Sequence, residues 1–217
     1  MRFDDERAAG RALAAGLEAY RGRADALVLA LARGGVGVGF EVSQRLGLPL
    51  DLVFLRRLLV PRGAHEPLCV ASVAGAPFLD KELKASLADD APDATLRQFL
   101  KDALPAFDES VRACRGERPA LDLAGKTVIL VDNGVRTGAT VLAAVRAVRS
   151  RTPARLVVAA PVADADARDA VAGAVEEFVC LVTPRPFVHV GLWYENLRRL
   201  SDEEIRALLD ERRKDEG

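Results

Sequence analysis

Residues Val128 to Thr140 read VILVDNGVRTGAT. Four apolar residues open the run, an acid and an amide follow, and Thr137-Gly138-Ala139-Thr140 leads straight into the helical pattern VLAAVRAVRS. An unbroken apolar run is what a parallel strand buried on both faces presents. Such a strand, ending in a polar loop that feeds a helix, aims backbone N–H groups at whatever lies above the sheet edge. That is an anion site by construction.

The segments on either side repeat the same unit. Upstream, Ala26 to Leu31 (ALVLAL) is apolar on both faces and runs into Ala32-Arg33-Gly34-Gly35. Val36 to Leu46 then reads as a helix closed by Gly47, a C-cap residue, and Pro49 opens a strand from Leu50 to Leu55 that ends in Arg56-Arg57. Downstream come a strand from Arg155 to Ala160, Pro161, a helix from Asp164 to Ala172 and a strand from Phe178 to Val182. Strands alternating with helices predict an α/β fold: one doubly wound, central parallel sheet of about five strands flanked by helices.

The remaining segments decorate this sheet. Phe3 to Tyr20 predicts a helix starting near residue 4, capped by Asp4 or Asp5, with Phe3, Leu13, Leu17 and Tyr20 toward the sheet. Residues 57 to 68 (RLLVPRGAHEPL) carry two prolines, a glycine and charges, and read as a long loop. Cys69 to Ala74 looks like a strand, Lys81 to Ala88 a short helix, and Thr95 to Arg115 a longer helix that Pro105 should kink. Residues 76 to 115 are therefore expected to form a helical excursion, a candidate hood or dimer contact. Ser201 and Glu204 form a capping box for a terminal helix through Leu209.

Composition limits the function classes. At 217 residues the chain fits a single domain spanning 1–217 with one active site. Its 31 basic and 32 acidic side chains leave a formal charge of -1, so no large field favours nucleic acid or anionic lipid. Small polyanions remain allowed, because a nest of amides does not require a basic protein. The three cysteines, Cys69, Cys114 and Cys180, have no CxxC spacing, which argues against a disulfide scaffold or a zinc site. A charged N-terminus without an apolar stretch, and this cysteine usage, lead us to expect a cytoplasmic protein outside any membrane.

The Val128 to Thr140 run resembles the phosphoribosyl-diphosphate signature of the type I phosphoribosyltransferases. Three other stretches agree in order and spacing: Ala32-Arg33-Gly34-Gly35 resembles the diphosphate loop, Arg56-Arg57 the basic pair after the next strand, and FVHVGLWYENLRRLSDEE the edge of the nucleobase pocket. The resemblance is closest to a bacterial branch of uncharacterised members and covers nearly the whole chain. It implies a type I phosphoribosyltransferase-like fold with a flap after Leu55 and a small C-terminal hood, its edge at residues 183–200.

The resemblance also implies roles. Asn133, Gly134, Val135, Arg136, Thr137, Gly138, Ala139 and Thr140 would bind the substrate, with 136 to 140 as the 5-phosphate cradle at a helix N-terminus. Asp132 would accept the ribose hydroxyls and hold Mg²⁺ directly or through water. Arg33, Gly34 and Gly35 would cradle the diphosphate, the glycines permitting backbone approach and an unusual peptide geometry, and Arg56 or Arg57 would neutralise its charge, the other of the two being surface charge. Arg62 and His65 are the flap candidates. Phe187, Val188, Trp193 and Glu195 are the candidates for the base pocket; Phe187, Val188 and Glu195 have the better claim, because Trp193 is also explained as packing the C-terminal helix onto the sheet.

Two departures from the family pattern are visible. The usual acidic pair is Asp132-Asn133, so one carboxylate is missing, and Arg136 stands where purine-salvage members carry an acid. The expected activity is Mg²⁺-dependent transfer from phosphoribosyl diphosphate to a nitrogenous base. The alternatives are a sensor or regulatory module that binds a phosphoribosyl compound without turnover, and hydrolysis or phosphorolysis of a nucleotide in the same site.

Overall fold

A computed structural model describes residues 2–58, 68–79 and 94–214 of the chain. The strands are β1 (Phe3–Asp5), β2 (Ala26–Ala32), β3 (Leu50–Leu58), β4 (Leu68–Val73), β5 (Ala76–Leu79), β6 (Thr127–Val131), β7 (Arg155–Val162), β8 (Glu177–Val182) and β9 (Tyr194–Asn196). The helices are α1 (Glu6–Ala15), α2 (Val36–Leu46), α3 (Ala94–Arg115), α4 (Ala139–Arg149), α5 (Ala165–Ala172) and α6 (Asp202–Lys214). One sheet has the order β5-β4-β3-β2-β6-β7-β8, and β1 pairs with β9 in a small second sheet.

The expected five parallel strands are present as β3-β2-β6-β7-β8. Alternation along them sends side chains to opposite layers. Leu27, Leu29, Leu31, Val128 and Leu130 pack beneath α4 and α5, whereas Val28, Ile129, Val131 and Val157 face α1 and α2. A third cluster joins Leu52 and Phe54 to Leu100, Phe107 and Val111 of α3 and to Ile205 and Leu209 of α6. Pro161 sits in β7 beyond the last β6 pairing, Val131 with Ala159, where its missing N–H costs no ladder bond on that side.

The sheet is wider than the sequence predicts. β4 and β5 extend it in antiparallel fashion, so residues 76–79, read as part of a helical excursion, are an edge strand. The β4–β5 turn is Ala74-Gly75, with φ of 49° and 85°. These residues lack the Asn-Gly type of hairpin signal, and Pro77 makes the strand look broken, although an edge position tolerates it. The predicted helix Lys81 to Ala88 lies outside the described residues. α3 is helical through Pro105, and its last residue Arg115 is buried in an ion pair with Asp51 of β3.

At the N-terminus the helix starts at Glu6, with Asp5 as N-cap accepting from Ala8 N at 2.7 Å, and stops at Ala15. Phe3 to Asp5 form a strand instead of helix, paired with the hood strand β9 through Phe3–Tyr194 and Asp5–Asn196. α2 ends at Gly47 in the left-handed conformation, φ 65°, as predicted. The Ser201–Glu204 capping box forms, with Glu204 N donating to Ser201 Oγ at 3.2 Å and Ser201 N donating to Glu204 Oε2 at 2.8 Å. The helix it starts continues past Leu209 to Lys214.

Candidate active site

The chain winds outward from β2 in one direction and from β6 in the other, so the carboxyl ends of these adjacent strands form the topological switch point of the sheet. Open α/β sheets bind ligands there. Both candidate loops emerge at this crevice: Arg33-Gly34-Gly35 after β2 and Asp132 to Gly138 after β6.

The second loop is pinned to the neighbouring strand. Asp132 N donates to Ala159 O at 3.2 Å, Val135 N to Val162 O at 2.9 Å, and Asp164 N to Val135 O at 2.8 Å. Val135 is buried as the loop's anchor. Gly138 takes φ 74°, which lets the chain turn sharply into α4. Asp132, Gly134, Val135, Arg136, Thr137, Gly138, Thr140 and Val141 then line a recess of about 170 Å³. The first N–H groups of a helix have no intrahelical acceptor, so this recess carries donors, two threonine hydroxyls and the positive end of a helix dipole.

Contact requires a glycine at position 35 and leaves little room for a side chain at position 34. A Cβ at position 35 would lie 2.4 Å from the Val131 carbonyl oxygen and 2.9 Å from Asp132 Cα. A Cβ at Gly34 would lie 3.1 Å from the Asn133 side-chain nitrogen. Gly34 and Gly35 therefore press directly onto Asp132 and Asn133. The peptide joining Ala32 to Arg33 is cis, the unusual peptide geometry expected of this loop.

Asp132 and Asn133 are held by residues that the sequence reading did not single out. Asn133 N donates to Asp132 Oδ1 at 2.8 Å, Asn133 Nδ2 donates to Glu6 Oε1 at 3.2 Å, and the Tyr194 hydroxyl donates to Asn133 O at 2.5 Å. Burial pushes the Asp132 carboxyl up to about 7, against the lowering effect of the Asn133 N–H. Glu6 is also pushed up to about 7, first by burial and further by the Asp132 charge, with the Asn133 hydrogen bond opposing. The Tyr194 phenol is raised by burial and by both carboxylates. Nothing in the local sequence marks Glu6, since an acid in the first turn of a helix is ordinary. Tyr194 was hidden because it depends on β1 pairing with β9.

The basic residues are distributed differently from expectation. Arg33 turns its guanidinium to Asp202 at the start of α6, in an ion pair, and to Ser110 Oγ of α3 at 2.9 Å. Together with Arg56, Phe107 and Arg199 it lines a cleft of about 330 Å³ beside the glycine loop. Arg199 was not predicted. Arg57 lies on β3 and its side chain is outside the described residues, as are Arg62 and His65.

In the hood segment, Trp193 is half-buried against the cluster that contains Phe3 and Tyr194, which fits the packing alternative. Phe187 is half-buried, Val188 is 65% exposed, and Glu195 is exposed on β9. Another cleft, about 380 Å³, is lined by Glu6 itself together with Asp5, Gly37, Asn196, Arg198 and residues of α6.

Among the described residues no three His, Cys, Asp or Glu side chains cluster as a metal cage. A single hard carboxylate at Asp132 still fits Mg²⁺, which characteristically takes one or two protein carboxylates and completes its shell with water and substrate phosphates. No helix of the described residues is long and apolar enough to cross a membrane.

A doubly wound sheet with a donor-lined recess and a glycine loop at its switch point has the architecture of a type I phosphoribosyltransferase. Residues 81–192 match the phosphoribosyl transferase domain family, and the chain belongs to it. It is 35% identical over 213 residues, 98% of its own length, to a Mycobacterium tuberculosis H37Rv protein named "Putative phosphoribosyl transferase Rv0571c" and to its counterpart in strain CDC 1551. It spans about half the length of these curated relatives, 47%. Among solved structures it is similar to TT1426 from Thermus thermophilus. The identity there is 35%, the TM-score 0.79, and the match covers 97% of this chain and 99% of the other.

Proposed function

We propose that this domain transfers a phosphoribosyl group from phosphoribosyl diphosphate to a nitrogenous base, releasing diphosphate, with Mg²⁺ as cofactor. The observation that carries this reading is the adjacency of two anion-suited loops: the donor-lined recess at 134 to 140 and the glycine loop packed on Asp132.

In this reaction the C1–O bond to diphosphate breaks with its electron pair leaving on the diphosphate. A nitrogen lone pair of the base forms the new bond to C1. The amides of 136 to 140, with Thr137 and Thr140, hold the 5-phosphate and so fix the sugar over the strand ends. Asp132 accepts hydrogen bonds from the ribose hydroxyls and places negative charge near a ring that becomes positive. Asp132 would hold Mg²⁺ directly or through water, and the ion would supply charge neutralisation for the leaving diphosphate. Gly34 and Gly35 keep the first loop close enough for its backbone to meet the same diphosphate. Arg56 supplies further positive charge from the neighbouring cleft.

A second reading, a phosphoribosyl sensor without turnover, is favoured by the pairing of Arg33 with Asp202, which removes one cation from the diphosphate side. The test is a diphosphate-release assay with phosphoribosyl diphosphate, Mg²⁺ and a panel of purines, pyrimidines and other amines. Release with one acceptor and not without it supports transfer. Binding with no release on any acceptor supports the sensor, and release without an acceptor supports hydrolysis.

A further inference from the structure

We propose that Glu6 is the second carboxylate of this site, a positioning residue that carries, through Asn133, the negative charge that the loop itself lacks. The inference rests on the phosphoribosyl-transfer reading for the ligand involved. Its geometric basis is independent of that reading.

Glu6 is only 7% exposed, although it is the first residue of a helix, where carboxylates usually face water. A buried carboxylate is costly unless it is hydrogen-bonded. Its partner is the Asn133 side-chain amide, the residue next to Asp132. The contacts around it are tight: a Cβ at Gly37 would stand 2.9 Å from Glu6 Cβ and 3.3 Å from Oε2, and a Cβ at Gly34 would meet the Asn133 amide. Glu6, Asn133, Gly34 and Gly37 thus form one packed unit joining α1, the loop after β6, the glycine loop and the start of α2. Asn133 is also fixed at its own N–H by Asp132 and at its carbonyl by Tyr194.

This arrangement explains the residue type at 133. An amide can donate to Glu6, whereas an aspartate there would set an ionised oxygen against another in a buried space. One carboxylate beside Asp132 is therefore accommodated, either at position 6 or at position 133, and this chain has it at 6. In the Glu6→Gln, Asn133→Asp double variant the hydrogen bond is reversed, with the glutamine donating to the aspartate, and the charge moves to the loop.

The experiment is a double-variant cycle of Glu6→Gln and Asn133→Asp, read as melting temperatures at pH 8 without ligand and as calorimetric affinity for phosphoribosyl diphosphate with and without Mg²⁺. Asn133→Asp alone should lower the melting temperature by about 4 °C or more, and Glu6→Gln should rescue it. Glu6→Gln alone should stay folded but reduce the Mg²⁺-induced gain in affinity by about tenfold, because charge beside the metal is lost. The double variant should recover that gain to within about threefold of the parent. Melting effects that simply add, or a Mg²⁺ gain unchanged in Glu6→Gln, overturn the proposal and leave Glu6 a structural group. If the parent itself does not bind phosphoribosyl diphosphate, the transfer reading fails instead, and the coupling in the melting temperatures alone decides whether the charge is exchangeable between the two positions.

Discussion

Asp132, half-buried at the end of β6, ties stability to pH. Its carboxyl is raised from 3.8 to about 7 by burial, so the folded protein holds its proton where the unfolded chain has released it. Below about pH 4 both states are protonated and the group costs nothing. Between about pH 4 and 7 the folded state binds more protons than the unfolded one, so stability falls as pH rises and then levels off. Asp132→Asn should therefore melt higher than the parent at pH 8, by a gain on the order of 1–3 kcal/mol, and show no gain near pH 4. The same variant should lose roughly 10²-fold or more in turnover, since it removes charge stabilisation in the transition state. Calorimetric melts at the two pH values, beside a diphosphate-release assay, check both parts. A variant that loses its cooperative transition would make Asp132 a structural residue.

At the scale of elements, two contacts hold the crevice together. Gly35→Ala would drive a methyl into the Val131 carbonyl and Asp132, so it should separate the two loops. The expected outcome is a loss of ligand affinity larger than the loss of melting temperature, measured by titration and melt on the same preparation. Tyr194→Phe removes the hydroxyl that ties the hood strand to Asn133. That should cost about 1 kcal/mol or slightly more in denaturant unfolding, the value of one buried hydrogen bond. The parallel strands, both loops and the cap at Gly47 were legible because hydrophobic runs, glycines and capping residues act locally. β1, β5 and the contact of Glu6 with Asn133 were not. Each depends on a partner far away in sequence or on a contact that local signals oppose: β1 on β9, β5 on β4 despite Pro77, and Glu6 on Asn133, 127 residues on. The Arg33–Asp202 ion pair was equally illegible, since it joins the Arg-Gly-Gly loop to the last helix of the chain.

In the whole molecule, the proposed transfer function requires the recess after β6 to bind the 5-phosphate of phosphoribosyl diphosphate. The chain spans about half the length of its mycobacterial relatives, and its described residues include the carboxyl ends of β2 and β6 with the loops that follow them. The measurement that tests this requirement most directly is a calorimetric titration of phosphoribosyl diphosphate with Mg²⁺ into the parent and into Thr137→Glu. Thr137 is exposed at the mouth of the recess, so the added carboxylate should leave the fold and its melting temperature unchanged while opposing a dianion on the same amides. The expected outcome is saturable binding to the parent and none to the variant. Equal binding to both would place the phosphate elsewhere and contradict it.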